Sequence, residues 1–146
     1  MQLGSLAAGR FAADLAPSGL EPRHVGLLRL LTAEPGLSQQ ALGERLGLNA
    51  TRVVFLVDDM EQRGLVERRH HPHDRRSHAL HLTRDGELAL ARAGLLAGVQ
   101  ETELLAPLTA AERTQLRGLL ERLAAAHGIT ALTLPVPARM RDEPER

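Results

Sequence analysis

The residues richest in chemistry lie between Arg63 and Arg84. Arg63, Arg68, Arg69, Arg75, Arg76 and Arg84 stand there against Glu67 and Asp74. His70, His71, His73, His78 and His81 fall in the same stretch. Guanidinium groups at this density suit a polyanion. Each can hold a phosphate oxygen, and the group fits the negative potential of a narrow minor groove. The histidines suit two further chemistries: ligation of a divalent metal, and protonation in the mildly acidic range. His70, His71 and His73 are the candidates for ligation. No Cys or carboxylate completes a familiar ligand set with them, so a polar, solvated loop is the simpler account. Neither a bound metal nor a cofactor is expected.

Nothing in the chain combines into a catalytic constellation. It has no Cys, no G-x-S-x-G, no P-loop and no dinucleotide fingerprint. Asp58 and Asp59 are neighbours on a helix and point in different directions, so they are no acid–base dyad. An enzyme is not expected. Lack of Cys also excludes disulfides, thiol redox sensing and cysteine-ligated zinc. The 18 basic residues, all Arg, balance 18 acidic ones. A GC-rich coding bias explains the absence of Lys, and zero net charge means that nucleic-acid binding needs positive charge gathered locally. No basic segment precedes an apolar run at the N-terminus, and no apolar run approaches the ~20 residues of a membrane span. A cytoplasmic protein is expected.

The elements that must position these residues follow from periodicity and punctuation. Leu3, Leu6, Ala7, Phe11 and Leu15 recur at helical spacing until Pro17-Ser18-Gly19. Pro22 opens a second helix, apolar on several sides through Val25, Leu27, Leu28, Leu30 and Leu31, which Glu34-Pro35-Gly36 ends. A short helix (Ser38–Leu46), a turn at Gly47 and a second helix (Asn49–Arg63), closed by Gly64, come next. Two strands are expected near Leu65–Arg69 and His78–Leu82, with a basic loop over 70–77 between them. Thr83 caps a helix to Leu105 whose apolar residues include Leu88, Ala91, Leu95, Val99 and Leu105. Thr109-Ala110-Ala111-Glu112 is a capping box for a last helix with Leu116, Leu119, Leu120 and Leu123 in its stripe.

Helix, turn, helix and hairpin in this order suit a winged helix-turn-helix, all-α with a small β-wing. Val53, Leu56, Val57 and Met60 must face the core. Ala50, Thr51, Val54, Phe55 and Asp58 then face outward, with Arg52 near the N-terminal end, and Thr51 and Arg52 are the first choices for base edges. Ser38, Gln39 and Gln40 open a helix whose backbone N–H groups can hold a phosphate, with Asn49 at the cap of the next. Arg75 and Arg76 form the arm, and Asp74 fixes its loop. The first and last helices carry apolar stripes that the small central module cannot cover. A C₂ homodimer would cover them and would present two recognition helices to a pseudo-palindromic double-stranded DNA site. The expected division is a dimerisation helix over 1–20, the winged unit over 21–83, further dimerisation helices over 84–128 and a tail over 129–146.

The chain resembles the MarR family of bacterial transcription regulators. The resemblance runs through Leu20-Glu21-Pro22-Arg23, Leu27-Leu28-Arg29-Leu30-Leu31, the segment from Gly36 to Gly47, Leu56-Val57-Asp58, the segment from Glu61 to Arg68, Asp74-Arg75-Arg76 and Leu80-His81-Leu82-Thr83. It implies dimerisation through the terminal helices, a wing in a minor groove, and a repressor released from DNA by a small aromatic or hydrophobic effector. Family geometry places Arg10, Phe11 and His24 as candidates for contact with that effector. Two features depart from the family pattern. Val54 and Phe55 are apolar where small polar and basic residues are usual, and Asp58 and Asp59 bring carboxylates toward a phosphate backbone. Thymine methyls can accept the apolar pair, or Phe55 can pack beneath the wing. The alternative is a winged-helix dimer without specific DNA binding, acting as a protein-interaction or ligand-sequestering module.

Overall fold

Backbone conformation explains the order of elements. The computed structural model describes residues 2–71 and 74–128, and side chains outside 71–77. Its elements are α1 (Gln2–Leu15), α2 (Pro22–Ala33), α3 (Gln39–Leu46), α4 (Ala50–Gln62), β1 (Val66–His71), β2 (Asp74–Leu82), α5 (Arg84–Leu104) and α6 (Ala110–Ala126). Helix starts fall where hydroxyl or amide side chains replace missing backbone partners. Ser38 Oγ accepts from the Ala41 N–H at 3.1 Å, Asn49 Oδ1 from Arg52 N–H at 2.9 Å and Thr83 Oγ1 from Gly86 N–H at 3.0 Å. Each such cap stabilises its helix by about 1 kcal/mol. The Thr109–Glu112 box closes in both directions. Gly47, with φ of 63°, supplies the left-handed residue that turns α3 into α4.

α2 lies at the centre. Val25, Leu27, Leu28, Leu30 and Leu31 are all buried, in one cluster with Leu15, Leu42, Val53, Leu56, Val57, Met60, Val66, Leu80 and Leu90. Two close approaches hold the layers. A Cβ on Gly43 would lie 2.8 Å from Val53 Cγ2, and one on Gly86 would lie 2.1 Å from the Leu65 carbonyl oxygen. α3 therefore sits tightly on α4, and the start of α5 sits tightly on the sheet.

The hairpin is antiparallel, with Val66 opposite Leu82, Arg68 opposite Leu80 and His70 opposite His78. It extends further than the sequence pattern indicates, because cross-strand backbone pairing does not require the apolar alternation by which strands are read. The pairing shifts between His70 and His71. The other side of β2 also has a partner. Gly36 N–H donates to Leu80 O at 3.0 Å, and Leu80 N–H donates to Leu37 O at 2.9 Å.

The last two helices leave much of their apolar surface uncovered within one chain. α5 turns Gly86, Leu90, Ala93 and Gln100 to the interior, while Leu88, Leu95 and Val99 are exposed. α6 buries no residue, and Leu119, Leu120 and Leu123 are open to solvent.

Candidate nucleic-acid interface

The outward surface of α4 is set by what its inner surface must do. Val53, Leu56, Val57 and Met60 are buried, which leaves Thr51, Arg52, Val54 and Phe55 exposed. Phe55 does not pack beneath the hairpin. It is 70% exposed and stands beside Arg23, Arg52 and Arg63 at the rim of a cavity of about 620 Å³.

Asp58 and Asp59 do not project as unpaired charges. Arg68 on β1 reaches across to pair with Asp58 and Glu61 of α4, and its Nε donates to Gln39 Oε1 of α3 at 3.3 Å. One half-buried guanidinium thus joins the hairpin to both helices. Burial alone would make the charged form of Arg68 less favourable. The bonds to Asp58 and Glu61 outweigh this and raise its pKa. The outward carboxylate read from the sequence is drawn sideways into this hub. Sequence reasoning missed Arg68, whose role appears only once the fold brings β1 against α4.

Asp59 is engaged on the other side. Arg63 Nε donates to Asp59 Oδ1 at 2.9 Å, and Arg63 Nη1 donates to the Gly19 carbonyl at 2.9 Å. His24, 1% exposed, accepts the Glu21 N–H at Nδ1 over 3.0 Å, so its neutral ring carries the proton on Nε2. Nε2 lies 3.1 Å from Asp59 Oδ2, but it lacks a partner of hydrogen-bond geometry. The contact is electrostatic rather than an aligned bond. Burial lowers the His24 pKa, and Asp59 offsets part of that effect. The chain of groups from Gly19 through Arg63 and Asp59 to His24 ties the α1–α2 connection to the back of α4.

At the start of α3, the Ser38 hydroxyl caps its own helix, Gln39 receives Arg68, and Gln40 Nε2 donates to Glu44 Oε1 at 3.1 Å. Asn49 likewise caps α4. The side chains of Asp74, Arg75 and Arg76, and of His71 and His73, lie outside the described residues. The effector candidates do not converge. Arg10 is exposed on α1. Phe11 lines a mostly apolar groove of about 590 Å³ between α1, α5 and α6. His24 lines the separate cavity beside Phe55.

A tightly packed helix pair followed by a hairpin defines a winged helix-turn-helix. Comparisons with known proteins place it further. The model of the MarR family matches residues 18–77. The chain is 38% identical over 125 residues to a regulatory protein assigned to the hcr operon of Thauera aromatica, covering 84% of this chain and 75% of that one. The solved structure of the transcriptional repressor CouR bound to a 23-mer DNA duplex aligns with a TM-score of 0.72 at 35% identity, over 84% of this chain and 87% of that one. The Mycobacterium tuberculosis MarR family protein RV2887, in complex with salicylic acid, aligns with a TM-score of 0.69 at 27% identity, over 84% and 90% of the two chains. The chain belongs to the MarR family. It is a transcriptional regulator, not an enzyme. Among the described residues, no helix is long and apolar enough to cross a membrane.

Proposed function

We propose that the chain is a homodimeric, DNA-binding repressor that a small aromatic or hydrophobic effector releases. The observation that carries this reading is the state of α4. Its N-terminal half offers Thr51, Arg52, Val54 and Phe55 outward, while Arg68, Arg63 and His24 engage the two carboxylates behind them. A phosphate backbone therefore meets less opposing charge than the sequence alone implies.

In this reading Arg52 holds a guanine edge, a contact worth ~1–3 kcal/mol of discrimination, and Val54 and Phe55 meet thymine methyls. The start of α3, with Ser38, Gln39 and Gln40, anchors a phosphate through backbone N–H groups. Arg75 and Arg76 enter the minor groove, with Asp74 ordering the turn. A second copy covers the apolar surfaces of α1 and α6, and sets the two α4 helices near one turn of DNA apart, ~34 Å. Effector support comes from the salicylic acid complex of RV2887 and from the apolar groove beside Phe11. Arg10 precedes Phe11 on α1 but does not line that groove, and His24 belongs to the joint with Asp59. A ligand weakens DNA binding only by its differential affinity for the two spacings. The site of action is the cytoplasm.

Fluorescence anisotropy with the chain's own upstream DNA, at two salt concentrations and against random DNA, tests the proposal. Salt-dependent binding that prefers the upstream sequence is expected. In Arg75→Ala and Arg76→Ala the salt slope flattens by about 0.9 per lost phosphate contact. Equal, weak binding to both DNAs would favour the other reading, in which exposed Val54 and Phe55 receive a protein partner.

A further inference from the structure

We propose a divalent transition-metal site on the hairpin, formed by His70 of β1 and His78 of β2. The sequence pattern groups His70 with His71 and His73. The fold instead sets His70 directly opposite His78 in the antiparallel pair. Their ring centroids are 4.9 Å apart, with an angle of 36° between the planes. Both residues are exposed, so water can complete a coordination shell.

The separation matches shared ligation. Metal–imidazole bonds of about 2.0–2.1 Å, extended by about 1.1 Å to each ring centre, put two centroids on one ion about 4.5 Å apart at a right angle and about 5.2 Å apart at the tetrahedral angle. The observed 4.9 Å falls between these limits. χ2 is a broad torsion for histidine, so rotation about it is the movement by which a nitrogen of each ring would turn toward the ion. Among the described side chains of the hairpin, the arginines next to His70 are already neutralised by carboxylates. On β1, Arg68 is paired with Asp58 and Glu61, and Arg69 with Glu67. Among the described residues no third His, Cys, Asp or Glu joins the pair. The ion is therefore held by two imidazoles and water, which makes it exchangeable and selects borderline ions in the order Cu²⁺ above Ni²⁺.

The site lies where the strand register shifts, between His70 and His71. An ion there cross-links the strands two residues beyond the Arg68 hub and holds the outer hairpin in one register. This inference does not depend on the DNA-binding proposal.

Titration calorimetry on the tag-free, metal-free chain at neutral pH tests it, using nickel and then copper chloride. One ion per chain is expected. Affinity falls by about tenfold or more in both His70→Ala and His78→Ala, which is about 1.4 kcal/mol, and is unchanged in His127→Ala. Because both histidines are exposed, circular dichroism of the variants should match the parent. No binding by the parent chain, or undiminished binding by either variant, overturns the site and leaves the ring contact as simple stacking.

Discussion

α4 and α6 are both amphipathic helices, of 13 and 17 residues, yet α4 buries Val53, Leu56, Val57 and Met60 while α6 buries none. The stripe of α4 finds α2, α3 and the sheet within its own chain. That of α6 meets mainly solvent, with Leu120 and Leu123 at 55% and 59% exposure. Hydrophobic periodicity says that a helix needs a cover and does not say whose residues supply it. The central module is complete in one chain. The terminal helices leave Leu3, Leu6, Leu119, Leu120 and Leu123 exposed, which is why a second copy enters the proposed function.

The comparison can be broken at several points. The largest effect is expected from Gly86→Ala. The new Cβ meets the Leu65 carbonyl, which belongs to backbone and cannot swing aside. Such overpacking typically costs ~1–3 kcal/mol, and the loss here should lie at or above the upper end. A urea midpoint unchanged or raised, as helix propensity alone would give, would show that the α5–sheet joint is looser than described.

Arg68→Ala comes next. It strands Asp58 and Glu61 on α4 and frees the hairpin, for an expected loss of about 1–2 kcal/mol. DNA affinity should fall by about tenfold or more, since the carboxylates then face phosphate unneutralised. Stability loss without any change in DNA binding would separate the hub from the interface.

His24 gives a smaller, pH-dependent effect. Burial lowers its pKa in the folded chain below the ordinary 6.5, with Asp59 opposing in part. The unfolded chain then takes up a proton first as pH falls. Stability is full above about 6.5 and declines as pH drops from there toward the lower folded value. In His24→Gln that part of the decline should vanish. Parallel unfolding curves for the two proteins across neutral and mildly acidic pH would refute the assignment.

The smallest change in the single chain's helical signal is expected from Leu119→Arg with Leu123→Arg, since both side chains are already in solvent. Circular dichroism should barely move, while sedimentation should show monomers instead of dimers. A mass that stays dimeric would place the interface on other surfaces.

Legibility followed the range of the interactions. The caps Ser38, Asn49, Thr83 and Thr109 act within three residues and were readable, as was the buried stripe of α4 at i, i+3, i+4 and i+7. On α5, Leu and Ala occur on several sides, so local period does not choose between Leu88 and Leu90 as the inward residue. The Arg68 hub and the His24–Asp59 contact join residues 10 and 35 positions apart. Their chemistry was visible as residue types, but the pairings depend on how β1 and α2 dock on α4. Asp58 and Asp59 looked like liabilities for that reason.

The bonds from Gly36 and Leu37 to Leu80 have a consequence for behaviour at high concentration. A two-stranded ribbon leaves each strand with an outer row of unpaired N–H and C=O groups, a template on which another molecule's strand can grow. Here the inner end of β2 has that row occupied by the chain's own connection between α2 and α3. Polymerisation through this edge would first have to displace two backbone hydrogen bonds beside the buried Leu80, so the short segment before Ser38 also guards the protein's solubility.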